Sequence, residues 1–310
     1  MSQQRNAAKG HHYVPESYLK RFTDAKGYLH IRDTARNQTR YQIPKKIMKV
    51  DAYYRQAWAP SGIDPNILED GLASGIEDQI KGVIDCLIET PEKLSDEYAT
   101  TLLVYLDIQR IRVPRQAASA KELMRETILK LAPADITAQL DSGAFQLAIK
   151  DSARFDYMRM AIGSIHPWLA RMEWEIFEAE AGSSFITTDS PVSFYNPACL
   201  PPAEAGLGLA GTKVFFPLSS RKLLLMRHPE CRSESPLTIL AEPTAQSCTV
   251  ALSHGAVWNA NVVSTTNWKL ARLAHDLFVA DSEITLKQGE LLCSQETRPT
   301  AIASSLDETQ

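Results

Sequence analysis

The chain has 310 residues, of which 44% are hydrophobic and 23% charged, a globular composition long enough to bury a sizeable core without staples. A net charge of −4 argues against a general nucleic-acid coat protein, and five scattered cysteines (Cys86, Cys199, Cys231, Cys248, Cys293) with no CxxC pair argue against a zinc knuckle and for a reduced, cytoplasmic setting. No secretory h-region opens the sequence and no run approaches the roughly 20 apolar residues of a membrane span, so no membrane partner is expected.

Taken in order, residues 1–10 read as a disordered lead. His11 and His12 precede Pro15, which suits the first turn of a helix, and Tyr18, Leu19 and Phe22 supply its apolar stripe. After the Asp24–Gly27 turn, residues 28–32 and 40–43 read as a hairpin with Asn37 and Gln38 in its loop, ended by Pro44. Asn66 is a fair N-cap for a helix to about Glu89, with Ile67, Gly71, Ile76, Ile80, Val83, Ile84, Leu87 and Ile88 inward. Ser95 caps a second helix through Val113, with Tyr98, Leu102, Tyr105, Leu106 and Val113 as its stripe, and Pro114 kinks or ends it.

Helical pattern resumes over 116–131 and about 136–147, and again over 151–180 with a junction at His166-Pro167 and Gly182 as a C′ residue. Short strands are expected at 185–187, 192–195, 214–216, 223–226 and 249–252, with a long loop over 197–211. Residues 262–278 read as a closing helix, and the tail after about Leu292 as disordered.

Charge is unevenly placed. Residues 9–49 hold ten basic side chains against Glu16, Asp24 and Asp33, and a second cluster comprises Arg110, Arg112, Arg115, Lys121, Arg125 and Lys130. Either these are solvated faces, or they form a local phosphate-facing surface that the net charge hides.

Four polar intrusions into apolar contexts are the candidate chemistry. Asp189 follows an apolar run and precedes Ser190-Pro191, so it is a base, a metal ligand or a turn cap. Gln109 and Arg112, three apart on one helical face, suit an anion or a buried carboxylate such as Asp189. His12 suits proton transfer or metal ligation, or a hydrogen bond at a helix end. Asn259 and Asn261, near the closing helix, suit backbone bonds or a substrate amide or phosphate. Tyr18 and Thr188 lie beside these groups as substrate-binding candidates. GxxxxGK[ST], HExxH and GxSxG are all absent from the sequence.

His12-Tyr13-Val14-Pro15, Tyr18-Leu19 and Phe22 open a set of motifs that continues with Asp24, Gly27 and Leu29 and with Gln109/Arg112. It ends with Trp174, Phe185–Val192 and Phe216-Pro217-Leu218-Ser219. This set, spanning residues 11 to 278, resembles the microbial domain-of-unknown-function family number 4238. Members have one histidine in the opening motif, which aligns with His12 and leaves His11 as an extra; Thr188 stands where members carry Ser. The resemblance implies no activity, but it implies that the motif residues belong together.

The expectation is therefore a single α+β domain over 11–288, mostly helical with a small antiparallel sheet. His12, Gln109, Arg112 and Asp189 converge on one cleft as the catalytic group, with no metal ligands assigned. Three readings compete: a hydrolase or nuclease acting on a phosphodiester, a non-catalytic nucleic-acid or anion-binding module, and a structural polar network. No cofactor is called for, although the carboxylate would accept a divalent metal. The partner is nucleic acid or a phosphorylated small molecule, and oligomeric state is left open.

Overall fold

The computed structural model describes residues 10–51, 53–55, 77–150, 152–199, 204–243 and 250–291. The first described element is β1 (His11–His12), followed by a single helical turn, α1 (Glu16–Leu19), which Pro15 precedes and a 3-10 turn continues through Phe22. β2 (Leu29–Asp33) and β3 (Gln38–Gln42) form the expected hairpin. Asn37 takes φ 51° in its turn, but Gln38 is already paired with Asp33 rather than in the loop. β4 (Lys49–Val50) returns to pair with β1.

α2 (Asp78–Glu89) buries Ile80, Val83, Ile84 and Leu87; the cap expected at Asn66, with Ile67, Gly71 and Ile76, lies outside the described residues. Ser95 caps α3 (Asp96–Ile111), its Oγ accepting the Tyr98 N–H at 3.2 Å. Tyr98 itself is exposed, whereas Leu102, Tyr105, Leu106 and Val113 are buried as the stripe requires. Pro114 ends α3 and begins α4 (Pro114–Leu131), the two places where its missing N–H does least harm. α5 (Ala134–Asp141) stops short of 147 where Gly143 turns the chain at φ 76°. α6 (Ala153–Ala161) and α7 (His166–Arg171) follow.

The helix expected to run to 180 ends at α7, and β5 (Glu173–Ala179) replaces its last part. Leu169, Met172 and Ile176 satisfy helical spacing, but Glu173-Trp174-Glu175-Ile176 also alternates, and pairing on both sides decides for the strand. Next come β6 (Thr187–Thr188), β7 (Ser193–Tyr195), β8 (Lys213–Pro217), β9 (Lys222–Arg227) and β10 (Ala251–Trp258), the last extending well beyond the expected 252. The closing helix, α8 (Ala260–Leu273), ends before Leu277 and Phe278, which belong instead to β11 (Leu277–Ala280). α9 (Glu283–Leu291) carries helix across the expected domain end at 288.

The class is α+β, with more sheet than one small antiparallel unit. A five-stranded sheet runs β10-β5-β9-β8-β7, in which β10 is parallel to β5 and the other pairs are antiparallel. A four-stranded antiparallel sheet runs β3-β2-β11-β6. Strand alternation sends Trp174, Ile176, Val214, Phe216, Leu224 and Met226 into one core with α2 and α3. Phe185, Ile186, Val263, Leu270, Phe278 and Leu286 form a second core beside α8. Each such side chain contributes about 1.5–3 kcal/mol on burial. No described helix is long and apolar enough to cross a membrane.

Candidate functional site

Part of the motif set, Gln109 and Arg112, meets the first dozen described residues. The spacing of three puts Gln109 and Arg112 on one face of α3, at its C-terminal end, where both reach the backbone of Tyr13. Gln109 Nε2 donates to the Tyr13 carbonyl at 2.9 Å, and Arg112 Nε donates to the same oxygen at 3.1 Å and to Gln109 Oε1 at 2.8 Å. Arg112 Nη1 pairs with Glu77 Oε1 at 2.9 Å. Glu77, not Asp189, is thus the carboxylate partner of this buried arginine. The Gln109–Arg112 fork clamps the Tyr13–Val14 peptide, one residue beyond His12.

β1 alternates, and its two histidines part company. His11 is buried, stacks on Tyr54 with ring centres 5.8 Å apart, and accepts the Tyr54 N–H at Nδ1 over 2.9 Å. His12 lines a cleft of about 450 Å³ with Glu16, Ser17, Lys20, Glu77, Asp78 and Lys81. Its Nε2 is buried and has no hydrogen-bond partner among the described residues. Burial holds the imidazole below its ordinary pKa, assisted by Lys49 and opposed by the Glu16 and Glu77 carboxylates. His12 is therefore neutral near pH 7, with an acceptor nitrogen available.

Asp189 is engaged elsewhere. Its Oδ1 accepts the His275 N–H at 2.8 Å, and its Oδ2 accepts those of Asp276 at 2.7 Å and Leu277 at 2.9 Å. Its own N–H donates to the Leu277 carbonyl at 2.9 Å. These bonds clamp the turn from α8 into β11 and give the reason that the helix stops where it does. Burial pushes the Asp189 carboxyl up while the three N–H donors pull it back. Its link to the His12 group is indirect. Burial first, then the Asp189 and Asp276 charges, push the Tyr13 hydroxyl pKa upward, so the Tyr13 side chain feels the Asp189 charge while its carbonyl holds Gln109 and Arg112.

The expected substrate-binding residues divide in the same way. The buried Tyr18 hydroxyl donates to the Pro217 carbonyl and shares a hydrogen bond with Thr187 Oγ1, both at 2.8 Å, which ties α1 to the two larger sheets. Thr188 is fully buried and its Oγ1 accepts the Ser190 N–H at 3.0 Å, a local turn bond. Asn259 is the exposed N-cap of α8, accepting the Val262 N–H at 3.1 Å. Asn261 faces a different cleft, between α8 and the five-stranded sheet.

Half of the second basic cluster, Arg110, Arg112 and Arg115, is buried and engaged within the protein, whereas Arg125 and Lys130 are exposed on α4. Arg110 is buried against Glu204, the Val192 carbonyl at 3.1 Å and the Phe194 ring at 4.3 Å. Arg115 pairs with Glu204 at 2.6 Å and donates to the Leu273 carbonyl at the end of α8. Sequence reading also missed Asn267, whose amide accepts the Ile186 N–H at 3.0 Å and donates to the Ser184 carbonyl at 2.8 Å. Its place four residues before Ala271 on the apolar side of α8 was the available signal. Among the described residues no three His, Cys, Asp or Glu side chains gather as metal ligands.

The motifs that resembled a family do so for a reason. The family described as "Protein of unknown function (DUF4238)" matches residues 10–267. The chain belongs to this family. The matched region contains every one of the eight sequence-derived site residues and both clefts' strands, whereas residues 275–277, whose N–H groups Asp189 accepts, lie beyond it. No curated protein and no solved structure matches the chain.

Proposed function

We propose that the protein is a hydrolase that cleaves a phosphate ester in the His12 cleft, the substrate being a nucleic-acid strand or a phosphorylated small molecule. The observation that carries this reading is the state of His12: a neutral imidazole whose ring lines an open cleft, with its buried Nε2 unpartnered. Turned into the cleft, such a nitrogen can take the proton of an attacking water, the role that general-base catalysis assigns to histidine. The attraction for a phosphate comes from the basic residues beside the lining. Lys20 is tied to Glu16 at 2.8 Å and Glu77 to Arg112, Asp78 and Lys81 both line the wall, and Lys45 and Lys49 act on Glu16 and His12 in addition. Gln109, Arg112, Asp189, Tyr18 and Thr188 form the frame, a role supported by the engagement of their polar atoms with backbone and with one another.

The test compares wild type with His12→Asn on bis(p-nitrophenyl) phosphate and on single- and double-stranded nucleic acid, with circular dichroism to confirm folding. Loss of roughly 10²–10⁴-fold in kcat/KM with an unchanged fold is expected of a lost proton-transfer group. Since the neutral imidazole is the active form and burial lowers its pKa, the rate should hold as pH falls from 8 to about 6.5 and decline only below that. No turnover by the wild type, or equal turnover by the variant, would sink the reading; activity abolished by a chelator would assign the chemistry to a divalent metal instead.

A further inference from the structure

The five-stranded sheet has a second face, and the residues on it follow from register. Lys213 and Phe215 of β8, Leu225 and Arg227 of β9, and Glu175 and Phe177 of β5 occupy alternate positions in paired rows, so they share one side. α8 lies across that side, and Asn261, Thr265 and Lys269, spaced by four, turn one helical stripe toward it. Between helix and sheet is a cleft of about 450 Å³, a volume suited to a small ligand. It shares no lining residue with the His12 cleft.

The electrostatics of this cleft are unbalanced. Lys213 stands directly across the ladder from Arg227, and like charges so placed destabilise a strand pair. Arg227 is bonded to Glu175 at 2.7 Å and its Nε lies 3.9 Å from Glu173 Oε2, which leaves that Nε and Glu175 Oε2 buried without hydrogen-bond partners. Lys269 Nζ lies 4.7 Å from the centre of the Tyr195 ring rather than against a carboxylate. Burial, and then the charge of Lys213, lower the Lys269 pKa, so the two ammonium groups feel each other. Below them the floor is aromatic: Phe177 and Trp258 stack with centres 4.1 Å apart, beside Phe215.

We propose that this cleft binds a small organic anion made of a flat ring and an anionic head, either a phosphate or a carboxylate. The head lies between Lys213 and Lys269, and the ring lies over the Phe177–Trp258 pair with the Asn261 amide at its rim. An anion there turns the repulsion between two ammonium groups into attraction to a shared partner. The aromatic floor removes ring surface from water, which a bare inorganic ion does not exploit.

The experiment titrates the full chain with adenosine monophosphate, benzoate and inorganic phosphate by isothermal calorimetry. At least one ring-bearing anion should bind, more tightly than inorganic phosphate. A Lys213→Gln/Lys269→Gln double variant should weaken it about tenfold or more, and Trp258→Leu should weaken it while leaving any phosphate binding unchanged. Preference for the nucleotide identifies a phosphate head and preference for benzoate a carboxylate head. His12→Asn should leave the affinity as it is, so this result stands or falls apart from the hydrolase reading. The proposal is overturned if neither ring-bearing anion binds at millimolar concentration, if inorganic phosphate binds as tightly, or if the double variant, folded by circular dichroism, binds like the wild type.

Discussion

Asp189 and His12 sit at comparable places, each a titratable side chain at the end of a two-residue strand, and the structure uses them in opposite ways. Asp189 meets a chain that is leaving a helix. The N–H groups of His275, Asp276 and Leu277 arrive together, and both carboxylate oxygens are taken up by them. His12 meets a chain that is about to enter a helix: α1 starts beyond Pro15, and apart from the Lys45 backbone the groups around the imidazole are side chains, those of Glu16, Ser17, Lys20, Glu77, Asp78 and Lys81. Backbone donors have fixed positions and saturate what faces them, whereas side chains on a cleft wall leave the acceptor open. A polar residue at a strand end is thus a functional candidate only when its neighbours leave an atom without a partner.

The contrast breaks first at Asp189 if it is wrong. In Asp189→Asn one acceptor oxygen becomes an NH₂ group, so at least one of the three N–H donors faces another donor in a buried site. The variant should lose about 3 kcal/mol or more of unfolding free energy, read from urea denaturation, with proteolysis entering at the turn between α8 and β11. A variant as stable as the wild type would mean that the carboxylate does not clamp this turn, and Asp189 would return as a candidate for chemistry.

Tyr18→Phe is a gentler form of the same challenge. It keeps the ring on Phe216, stacked at 5.5 Å, and removes only the hydroxyl that Pro217 and Thr187 share. Leaving the buried carbonyl and threonine hydroxyl without that partner should cost about 1–2 kcal/mol, again by urea denaturation, with no change in kcat/KM beyond what stability explains. A large loss of activity in a stable variant would move Tyr18 from the frame to the site.

The parts legible in the sequence were those set by local chemistry. Ser95 as an N-cap, Pro114 as a boundary and the Asn37 turn each follow from a side chain acting on its own backbone. The α+β class and the family were legible as well. What failed was decided from far away in the chain. β5 is a strand because β9 and β10 pair with it, and α8 ends at Leu273 because Asp189, more than eighty residues earlier, captures the N–H groups beyond it. The same holds for the site. Gln109 and Arg112 were found from their spacing, but their common partner is the Tyr13 carbonyl, and no side-chain pattern announces a carbonyl. The cationic cleft was visible only in part: Asn261, Thr265 and Lys269 share a helical stripe, while Lys213 and Arg227 join them only through sheet register.

The smallest expected effect sharpens the His12 side. An imidazole whose folded pKa is lowered binds fewer protons than its unfolded counterpart, whose ordinary value is about 6.5. The folded state therefore has its full stability above that pH and loses some of it as pH falls through the window below 6.5. His228 contributes in the same direction, since burial also lowers its pKa while its Nε2 lies 2.7 Å from the Leu207 carbonyl. In His12→Asn the His228 contribution remains and the His12 contribution disappears, so the difference between the two proteins isolates one imidazole. Stability at pH 7.5 should match the wild type within about 0.5 kcal/mol, because no hydrogen bond to Nε2 is lost. At pH 5.5 the variant should be the more stable by a few tenths of a kcal/mol, a small figure because the ring is partly open to solvent and its charge is screened. Denaturation curves at the two pH values measure it. Were the variant markedly less stable at pH 7.5, Nε2 would be making a structural bond after all, and His12 would belong with Asp189 rather than opposite it.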